Sequence, residues 1–339
     1  MPSGTPVESR PEVRISRSDV GRRVSVRRVS EVVDGRPVFR DVIGVLDSWD
    51  DHGISVVPRS GDPVTFPEQL LVAGKPVPLF PARRLPLPAA DPLDLQRIAA
   101  RGWPAVETEA LGEWTLRAAA GFTRRANSVQ ALGDPGLPPA AALERVRDWY
   151  AARGLPAYVE VVTPGSPPEL AAELDRLGAG YAPTLVRTAP LAALARLGNG
   201  SGHARVRLSR TAGPEWMSLY RRVTADPAVE AAARSVIHGG PSVWFATVPG
   251  TADGAPLAIG RLTVDGAWAG FGAIEVAPHA RRGGLATTLM AVLAARAAEE
   301  GAAGGYLQVE AENSGAIALY DRLGFTTSHT YHYARLPER

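Results

Sequence analysis

The chain has 339 residues, and at roughly 150 residues per domain this length predicts two or three domains. Apolar residues make up 45% of it and charged residues 21%, which excludes a disordered, collagen-like or coiled-coil chain. With 37 basic and 35 acidic residues the net charge is only +2, and the lack of cysteine excludes disulfides, thiolate nucleophiles and cysteine-ligated metals.

The most apolar stretch of the chain, residues 285–298, is interrupted by Arg296 and falls short of the roughly 20 residues that a membrane span requires. Residues 1–14 are polar and interrupted by proline, so they lack the apolar core of a secretory signal. We therefore expect a cytoplasmic protein with no membrane partner. None of the 6 histidines has the spacing of metal ligands, so no metal is expected.

The N-terminal region, residues 1–78, alternates apolar and polar residues with a period of two, and Asp-Gly and Ser-Gly pairs separate the runs. This pattern predicts short antiparallel strands joined by turns. We interpret the region as a small SH3-like β-barrel, although other five-stranded barrels fit the same alternation. The arginines of this region have two interpretations: they form a basic face that binds nucleic acid or an acidic partner, or they are merely solvated. They are Arg22, Arg23, Arg27, Arg28, Arg36 and Arg40.

Two stretches predict linkers. Residues 79–92 are dense in proline and predict a stiff connection, whereas the glycine-rich residues 198–204 predict a flexible one. The linkers divide the rest of the chain into two halves, residues 93–197 and residues 205–339.

The two halves share a pattern of elements. A strand at 158–161 and a helix at 169–178 parallel a strand at 306–309 and a helix at 317–324, and a longer helical pattern precedes each strand. This predicts a duplicated α/β unit. Chance similarity is the alternative, because helices ending in Leu-x-x-Leu-Gly are common.

A glycine-rich turn in the second half connects a predicted strand to a long predicted helix, and it reads Arg281-Arg282-Gly283-Gly284-Leu285-Ala286. Amides in the first turn of a helix have no internal partners, and the helix dipole places partial positive charge there. The glycines allow a phosphate to approach and the arginines add countercharge. The turn therefore predicts an anion cradle, with an ordinary turn as the alternative.

This turn and a second element further along the chain resemble motifs of the GNAT superfamily of N-acetyltransferases. The family's Arg/Gln-x-x-Gly-x-Gly/Ala turn, which binds the diphosphate of acetyl-CoA, is matched by Arg281, Gly284 and Ala286. A second element, Asn-x-x-Ala-x-x-x-Tyr-x-x-x-Gly-Phe, is matched by Asn313, Ala316, Tyr320, Gly324 and Phe325. The resemblance is specific over residues 205–335 and weak over the preceding half, which resembles a degenerate copy.

The resemblance implies an α+β or α/β chain with a duplicated GNAT acyltransferase fold, a mixed central sheet with flanking helices, similar to actinobacterial tandem GNAT proteins that carry an N-terminal barrel. It implies transfer of an acetyl group from acetyl-CoA to a primary amine by direct attack in a ternary complex. The residues that it assigns to the cofactor are Ile274, Glu275, Val276, Arg281, Arg282, Gly283, Gly284, Leu285, Ala286, Thr287, Asn313, Ala316 and Tyr320.

The resemblance also implies catalytic roles. Tyr320 is implied as the general acid that protonates the departing thiolate, although its helical spacing alone fits an ordinary core tyrosine. Asn313 has an alternative role as a helix N-cap. An amine with a pKa of about 10.4 pays about 4 kcal/mol to lose its proton near neutral pH, so a base is needed. Glu275 is the candidate base, although alternation along its strand is equally compatible with a side chain in solvent.

The first half departs from the motif. Residues 131–139 replace the arginine-glycine turn, Asp134 would repel a diphosphate, and Leu174 stands where the second half has Tyr320. We therefore expect the first half to bind no acetyl-CoA and to be structural or to shape the acceptor cleft. No motif specifies the amine acceptor, small molecule or protein, and we expect a monomer or homodimer.

Two other functions fit the sequence. One is a catalytically silent acyl-CoA-binding regulator or scaffold. The other is a protein-lysine acetyltransferase that associates with nucleic acid through the arginines of the N-terminal barrel.

Overall fold

The structure is a computed structural model that describes residues 13, 15–58, 62–77, 87–177, 183–197, 206–220, 226–250 and 255–338. The chain forms two compact units, residues 1–83 and 84–339. The predicted linker at 198–204 and residues 79–86 of the predicted linker at 79–92 lie outside the described residues. No helix among the described residues is long and apolar enough to cross a membrane.

The N-terminal unit is an antiparallel sheet with the strands β1 (Arg23–Val33), β2 (Arg36–Asp50), β3 (Gly53–Pro58), β4 (Val64–Phe66) and β5 (Leu71–Pro76). The strand order is β4-β3-β2-β1-β5. Its core is apolar. Side chains at alternate strand positions form it, together with one residue that precedes the sheet: Ile15, Val24, Val26, Leu46, Ile54, Val56 and Phe66.

The SH3-like barrel predicted for residues 1–78 is not confirmed. No ladder joins β4 to β5 in the part of the unit that the structure describes, so the sheet is open. The physical reason is that alternation specifies which side chains face the core but not whether the two edge strands pair.

The second unit contains one sheet of eleven strands. Its strands are β6 (Glu107–Leu111), β7 (Trp114–Ala118), β8 (Val129–Gln130), β9 (Tyr158–Thr163), β10 (Thr184–Pro190), β11 (Arg207–Ser209), β12 (Ser242–Val248), β13 (Ala258–Asp265), β14 (Trp268–Val276), β15 (Gly304–Glu310) and β16 (Thr326–Arg335). Its helices are α1 (Pro92–Arg101), α2 (Pro139–Ala151), α3 (Pro168–Leu177), α4 (Leu191–Arg196), α5 (Pro214–Leu219), α6 (Pro227–His238), α7 (Leu285–Glu299) and α8 (Ser314–Arg322). A mixed sheet with flanking helices confirms the predicted fold class.

Local sequence explains where the helices begin. α1 starts with an Asp91 N-cap, whose carboxylate accepts a hydrogen bond from the Asp94 amide at 2.7 Å, followed by Pro92 at the first helical position. α6 repeats this arrangement with Asp226 and Pro227. α7 is apolar over most of its surface, and it is buried at Leu289, Met290, Leu293, Ala294 and Ala297 in the core of the second half.

The two halves contain the same supersecondary unit. β8 and β9 are parallel and connected through α2, and β14 and β15 are parallel and connected through α7. A shorter helix and a further strand follow each pair. This topology accounts for the repeated pattern in the sequence.

The halves exchange their last strands. The sheet order is β11-β12-β13-β14-β15-β10-β16-β9-β8-β7-β6, so β10 of the first half pairs with β15, and β16 of the second half pairs with β9. β10 and β16 pair with each other at the centre. The sequence segments 93–197 and 205–339 therefore build one continuous sheet, and side chains of β16 lie beside the first half.

Candidate functional site

The parallel strands β14 and β15 separate partway along their length. They pair from Trp268 opposite Gly304 to Phe271 opposite Leu307, and beyond that point β14 pairs only with β13. The β13–β14 ladder contains an irregularity opposite Gly260, where Ala273 has a φ of 49°. A bulge of this kind bends a strand away from its neighbour. The separation leaves one edge of β14 without a strand partner at the carboxyl ends of parallel strands, where α/β sheets bind ligands.

A cleft of about 820 Å³ opens at this separation. The residues that line it from the second half include Ile274, Glu275, Glu310, Asn313, Ala316 and Tyr320. The first half and the exchanged strand β16 contribute Trp103, Arg124, Arg125, Tyr158, Tyr331 and Tyr333. The cleft therefore lies between the halves and is built by both of them.

The N-terminus of α7 is open to solvent. Gly284 caps the helix with a φ of 77°, and no side chain caps it. A Cβ atom built on Gly284 would meet no atom within 4 Å. The amides of Leu285, Ala286 and Thr287 make no hydrogen bond within the described residues. These donors and the positive end of the helix dipole form a site suited to an anion.

Positive charge flanks the open helix end. Arg281 and Arg282 are exposed, and neither pairs with a carboxylate in the part of the chain that the structure describes. The Nε atom of Arg281 donates to the carbonyl of Val276 at 3.3 Å, which ties the turn to the end of β14. The turn therefore presents amides and guanidinium groups directly after the strand whose edge is unpaired, in the arrangement that a diphosphate requires.

Tyr320 lies on α8, half-buried, with its ring in an edge-on contact with Phe325 at 5.9 Å between centroids. Its hydroxyl makes no hydrogen bond within the described residues, and the side chain lines the cleft. Burial raises the pKa of Tyr320 above its ordinary value. The hydroxyl therefore keeps its proton at neutral pH and is able to donate it.

Asn313 is the N-cap of α8. Its Oδ1 atom accepts a hydrogen bond from the Ala316 amide at 3.1 Å, so the capping role is confirmed. The side-chain NH2 group donates to no acceptor among the described residues, and Asn313 lines the cleft. Capping therefore uses the oxygen and leaves both N–H groups available to a ligand.

The structure brings only some of the predicted site residues to the cleft. Ile274, Glu275, Asn313, Ala316 and Tyr320 line it. The others are not among the lining residues and lie at the end of β14 or in the turn and first helical turn of α7: Val276, Arg281, Arg282, Gly283, Gly284, Leu285, Ala286 and Thr287. Among the described residues, no three histidine or acidic side chains form a group that could hold a metal ion.

The sequence left open whether the first half shapes the acceptor cleft, and it did not indicate which residues of that half would line it. Arg124 and Arg125 sit on a 3-10 turn (Arg124–Ala126), and a buried asparagine, Asn127, holds the preceding loop. The Asn127 amide nitrogen donates to the carbonyls of Phe122 and Thr123 at 2.8 and 2.9 Å. Its Oδ1 atom accepts hydrogen bonds from the amides of residues 119 and 121 at 2.8 and 2.9 Å. The loop conformation is fixed by this one side chain, and no sequence motif marks it.

The corresponding turn of the first half is built differently. The Glu113 carboxylate accepts the Asp134 amide at 2.6 Å, and the Asp134 carboxylate accepts the Gly136 amide at 2.8 Å. α2 then begins at Pro139 after Pro138, and neither proline has an N–H group. The turn therefore presents two negatively charged carboxylates and lacks the N–H groups of two residues, so it is unsuited to binding a diphosphate.

The comparisons with known proteins agree with this geometry. A family model described as "Probable histone acetyltransferase Rv0428c C-terminal" matches residues 90–334. The uncharacterized N-acetyltransferase YobR of Bacillus subtilis is 29% identical over 247 residues, which cover 70% of this chain and 96% of YobR. The probable histone acetyltransferase Rv0428c of Mycobacterium tuberculosis is 26% identical over 326 residues, which cover 94% of this chain and 96% of the relative.

Solved structures show the same fold. A GCN5-related N-acetyltransferase from Kribbella flavida has a TM-score of 0.54 at 19% identity, covering 74% of this chain and 98% of that one. A tandem GNAT protein from the clavulanic acid biosynthesis pathway has a TM-score of 0.51 at 17% identity, covering 75% and 91%. The predicted tandem GNAT fold is confirmed. The chain belongs to the family of the Rv0428c C-terminal region and is an acyltransferase, an N-acetyltransferase of the GNAT type.

Proposed function

We propose that the protein transfers the acetyl group of acetyl-CoA to a primary amine in a ternary complex. One observation carries the proposal: the open N-terminus of α7 follows directly on the unpaired edge of β14, and this edge borders the cleft that contains Tyr320. The order of these groups matches the order of the parts of acetyl-CoA. The helix amides would meet the diphosphate, the free strand edge would meet the pantetheine arm, and the protonated hydroxyl would meet the thioester. The enzyme would work in the cytoplasm, where acetyl-CoA is available.

Binding would use backbone groups for most of its contacts. The amides of Leu285, Ala286 and Thr287, with Arg281 and Arg282, would hold the diphosphate. The edge of β14 at residues 274–276 would pair with the amides of the pantetheine arm, as an added strand pairs with a sheet edge. The Asn313 NH2 group would donate near the thioester. These contacts would place the thioester carbonyl next to Tyr320.

The transfer would form one bond and break one bond. The neutral amine nitrogen attacks the thioester carbonyl carbon, the carbon–sulfur bond breaks, and the departing thiolate takes the proton of the Tyr320 hydroxyl. The acylated nitrogen gives up its proton, which restores the tyrosine through solvent, so that acetamide and free CoA are the products. Glu275 is our proposed base, because it lies on the separated part of β14 and lines the cleft.

The direct test is titration of the purified protein with acetyl-CoA, followed by calorimetry and by the melting temperature. We expect heat of binding and a rise in melting temperature; no effect at millimolar acetyl-CoA would overturn the proposal. Turnover with amines is then measured by release of the CoA thiol. The chain has no cysteine, so it contributes no thiol background.

A protein-lysine acceptor is the second candidate, because a relative is named a probable histone acetyltransferase. Its predicted link to nucleic acid is weakened by the ion pairs of the N-terminal sheet. Arg27 donates twice to Asp41, at 2.8 and 2.9 Å, and Arg22 pairs with Asp19 at 2.8 Å. Retention of DNA by the full chain that decreases with salt would support this candidate. Binding of acetyl-CoA without turnover over a broad panel of amines would instead favour the silent regulator.

A further inference from the structure

The wall of the cleft that the first half contributes contains an arginine without an acidic partner. Arg125 is half-buried and lines the cleft, and no carboxylate among the described residues forms an ion pair with it. Its Nε atom is buried and has no hydrogen-bond partner in the described part of the chain. This Nε atom has lost water without gaining an anion.

A second guanidinium group lies close by. Arg261 is 3% exposed, and it donates to the carbonyls of Ile237, Gly102 and Gly239 at 2.6, 2.9 and 2.6 Å, and to the Thr263 hydroxyl at 2.7 Å. These partners are neutral, and burial lowers the pKa of Arg261 to about 10. It therefore remains charged at neutral pH, and its charge is not neutralised by a carboxylate among the described residues.

The side chain of Trp103 contacts both arginines. The Arg125 Cζ atom lies 5.6 Å from the Trp103 ring centroid, and the Arg261 Cζ atom lies 4.9 Å from it. The Trp103 indole N–H donates to the Thr123 hydroxyl at 3.0 Å, which fixes the ring. Both charges thus lie against one aromatic ring, and this ring and Arg125 line the cleft.

Among the described residues, three phenols act on Arg125: Tyr220, Tyr331 and Tyr333. Burial alone would lower the pKa of Arg125, but the hydroxyl groups of Tyr331, Tyr333 and Tyr220 outweigh it and keep the pKa above its ordinary value. The acidic residues that line the cleft, Glu275, Glu310 and Glu312, form no ion pair with Arg125. The result is a positive, aromatic subsite in the same cleft as Tyr320.

We propose that this subsite binds the carboxylate of the acceptor, so that the acceptor is an amine that also carries a carboxylate group. The inference rests on the proposed acetyl transfer and names the acceptor class for it. The carboxylate pairs with Arg125 while the amine lies toward Tyr320. A lysine in a basic protein tail would instead bring further positive charge toward Arg125, which is electrostatically unfavourable.

The test compares matched acceptors at saturating acetyl-CoA. Glycine, β-alanine, γ-aminobutyrate and phenylalanine are each assayed against their own carboxamide, which lacks the negative charge. We expect kcat/KM to favour at least one carboxylate by about 10-fold or more, as a charged hydrogen bond provides. In Arg125→Gln we expect the ratio of kcat/KM between a carboxylate and its carboxamide to fall to near one, because KM for the carboxylate rises. Arg125→Lys should keep part of this preference. Arg97→Gln is the matched control, because Arg97 lies on the exposed face of α1 and pairs with Asp94.

A binding measurement supports the kinetic one. The N-acetyl derivatives of the same four acids, and of their carboxamides, are titrated into the complex of the protein with CoA. Tighter binding of a carboxylate than of its amide in the wild type, lost in Arg125→Gln at unchanged melting temperature, supports the subsite. Equal affinities, a preference that survives Arg125→Gln, or no binding of any of them overturns it.

The two proposals fail in different ways. If acetyl-CoA binds and basic peptides are acetylated while carboxylates give no advantage, only the acceptor inference is wrong. If acetyl-CoA produces no heat and no change in melting temperature, the proposed function itself is wrong, and the acceptor inference falls with it.

Discussion

Arg117 and Glu160 form an ion pair inside the eleven-stranded sheet, with 2.8 Å between Nη2 and Oε2 and side chains only 4% and 2% exposed. The other oxygen of Glu160 accepts hydrogen bonds from Gln96 at 2.9 Å and from Gln130 at 3.1 Å. The pair therefore connects β7 and β9 of the first half to α1. Such a buried network is stable only when every member keeps its partner.

We predict that Glu160→Gln lowers the free energy of unfolding by about 3–5 kcal/mol, because it leaves the Arg117 guanidinium buried without a countercharge. Urea unfolding followed by circular dichroism measures the change. Glu173→Gln is the control, because Glu173 pairs with Arg176 on an exposed face of α3 and should leave stability unchanged. Equal loss in both variants would contradict the prediction.

We predict that Gly284→Glu weakens acetyl-CoA binding by about 100-fold or more, because the new carboxylate would stand in front of the α7 amides. Gly266→Glu is the matched control. Gly266 also has a positive φ, 57°, and open space around a Cβ, but it lies in the turn between β13 and β14. Both variants should lose similar stability, and only Gly284→Glu should lose binding in calorimetry. Comparable affinities in the two variants would refute the proposed diphosphate site.

We predict that Tyr320→Phe lowers kcat by about 100-fold or more and leaves acetyl-CoA affinity nearly unchanged, because only the proton donor is removed. Tyr150→Phe is the control. The Tyr150 hydroxyl donates to the Arg117 carbonyl at 2.8 Å and lies outside the cleft lining. We expect Tyr150→Phe to lower the free energy of unfolding and to leave kcat unchanged. If kcat survives in Tyr320→Phe, the acid role is wrong.

The raised pKa of Tyr320 also predicts a pH profile. The hydroxyl remains protonated well into the alkaline range, so its loss of a proton should not reduce kcat between pH 7 and pH 9. Over the same interval a growing fraction of the acceptor amine loses its proton, so kcat/KM should rise with pH. A profile that falls above pH 8 would show that a group of lower pKa is the acid.

His329 predicts a loss of stability in acid. Burial lowers its pKa to about 4, and its Nε2 atom is buried without a hydrogen-bond partner among the described residues. The neutral form is therefore favoured in the folded protein, whereas the unfolded chain takes up a proton below about pH 6.5. The free energy of unfolding should fall by on the order of 2 kcal/mol as the pH decreases from 6.5 to 4. His329→Gln should show a smaller fall than wild type in urea unfolding at each pH; parallel curves would contradict it.

Local features of the fold could be predicted from the sequence. The long helix expected after the glycine-rich turn is α7, which runs from Leu285 to Glu299, and the strand expected at 306–309 lies within β15. The second-half motif is likewise local, because Asn313 caps the short helix on which Tyr320 lies. Patterns with periods of two or 3.6 residues report on one element and its buried face, and these elements formed where expected.

Pairing between distant segments could not be predicted. Nothing in the residues of β10 indicates that it pairs with β15 rather than within its own half, because an alternating strand fits either neighbour. The same limit concealed Arg125, which lines the cleft because the two halves share one sheet. The closure expected for the N-terminal strands failed for the same reason.

Because β10 and β16 are exchanged, each half covers a strand edge of the other. A fragment ending near residue 197 would keep β9 but lack the strand that covers its edge, and a fragment starting near residue 206 would leave β15 uncovered in the same way. Neither copy is therefore an independent module that could be inherited, truncated or recombined alone. The first half thus contributes to the second a strand that completes its sheet, whatever else it binds.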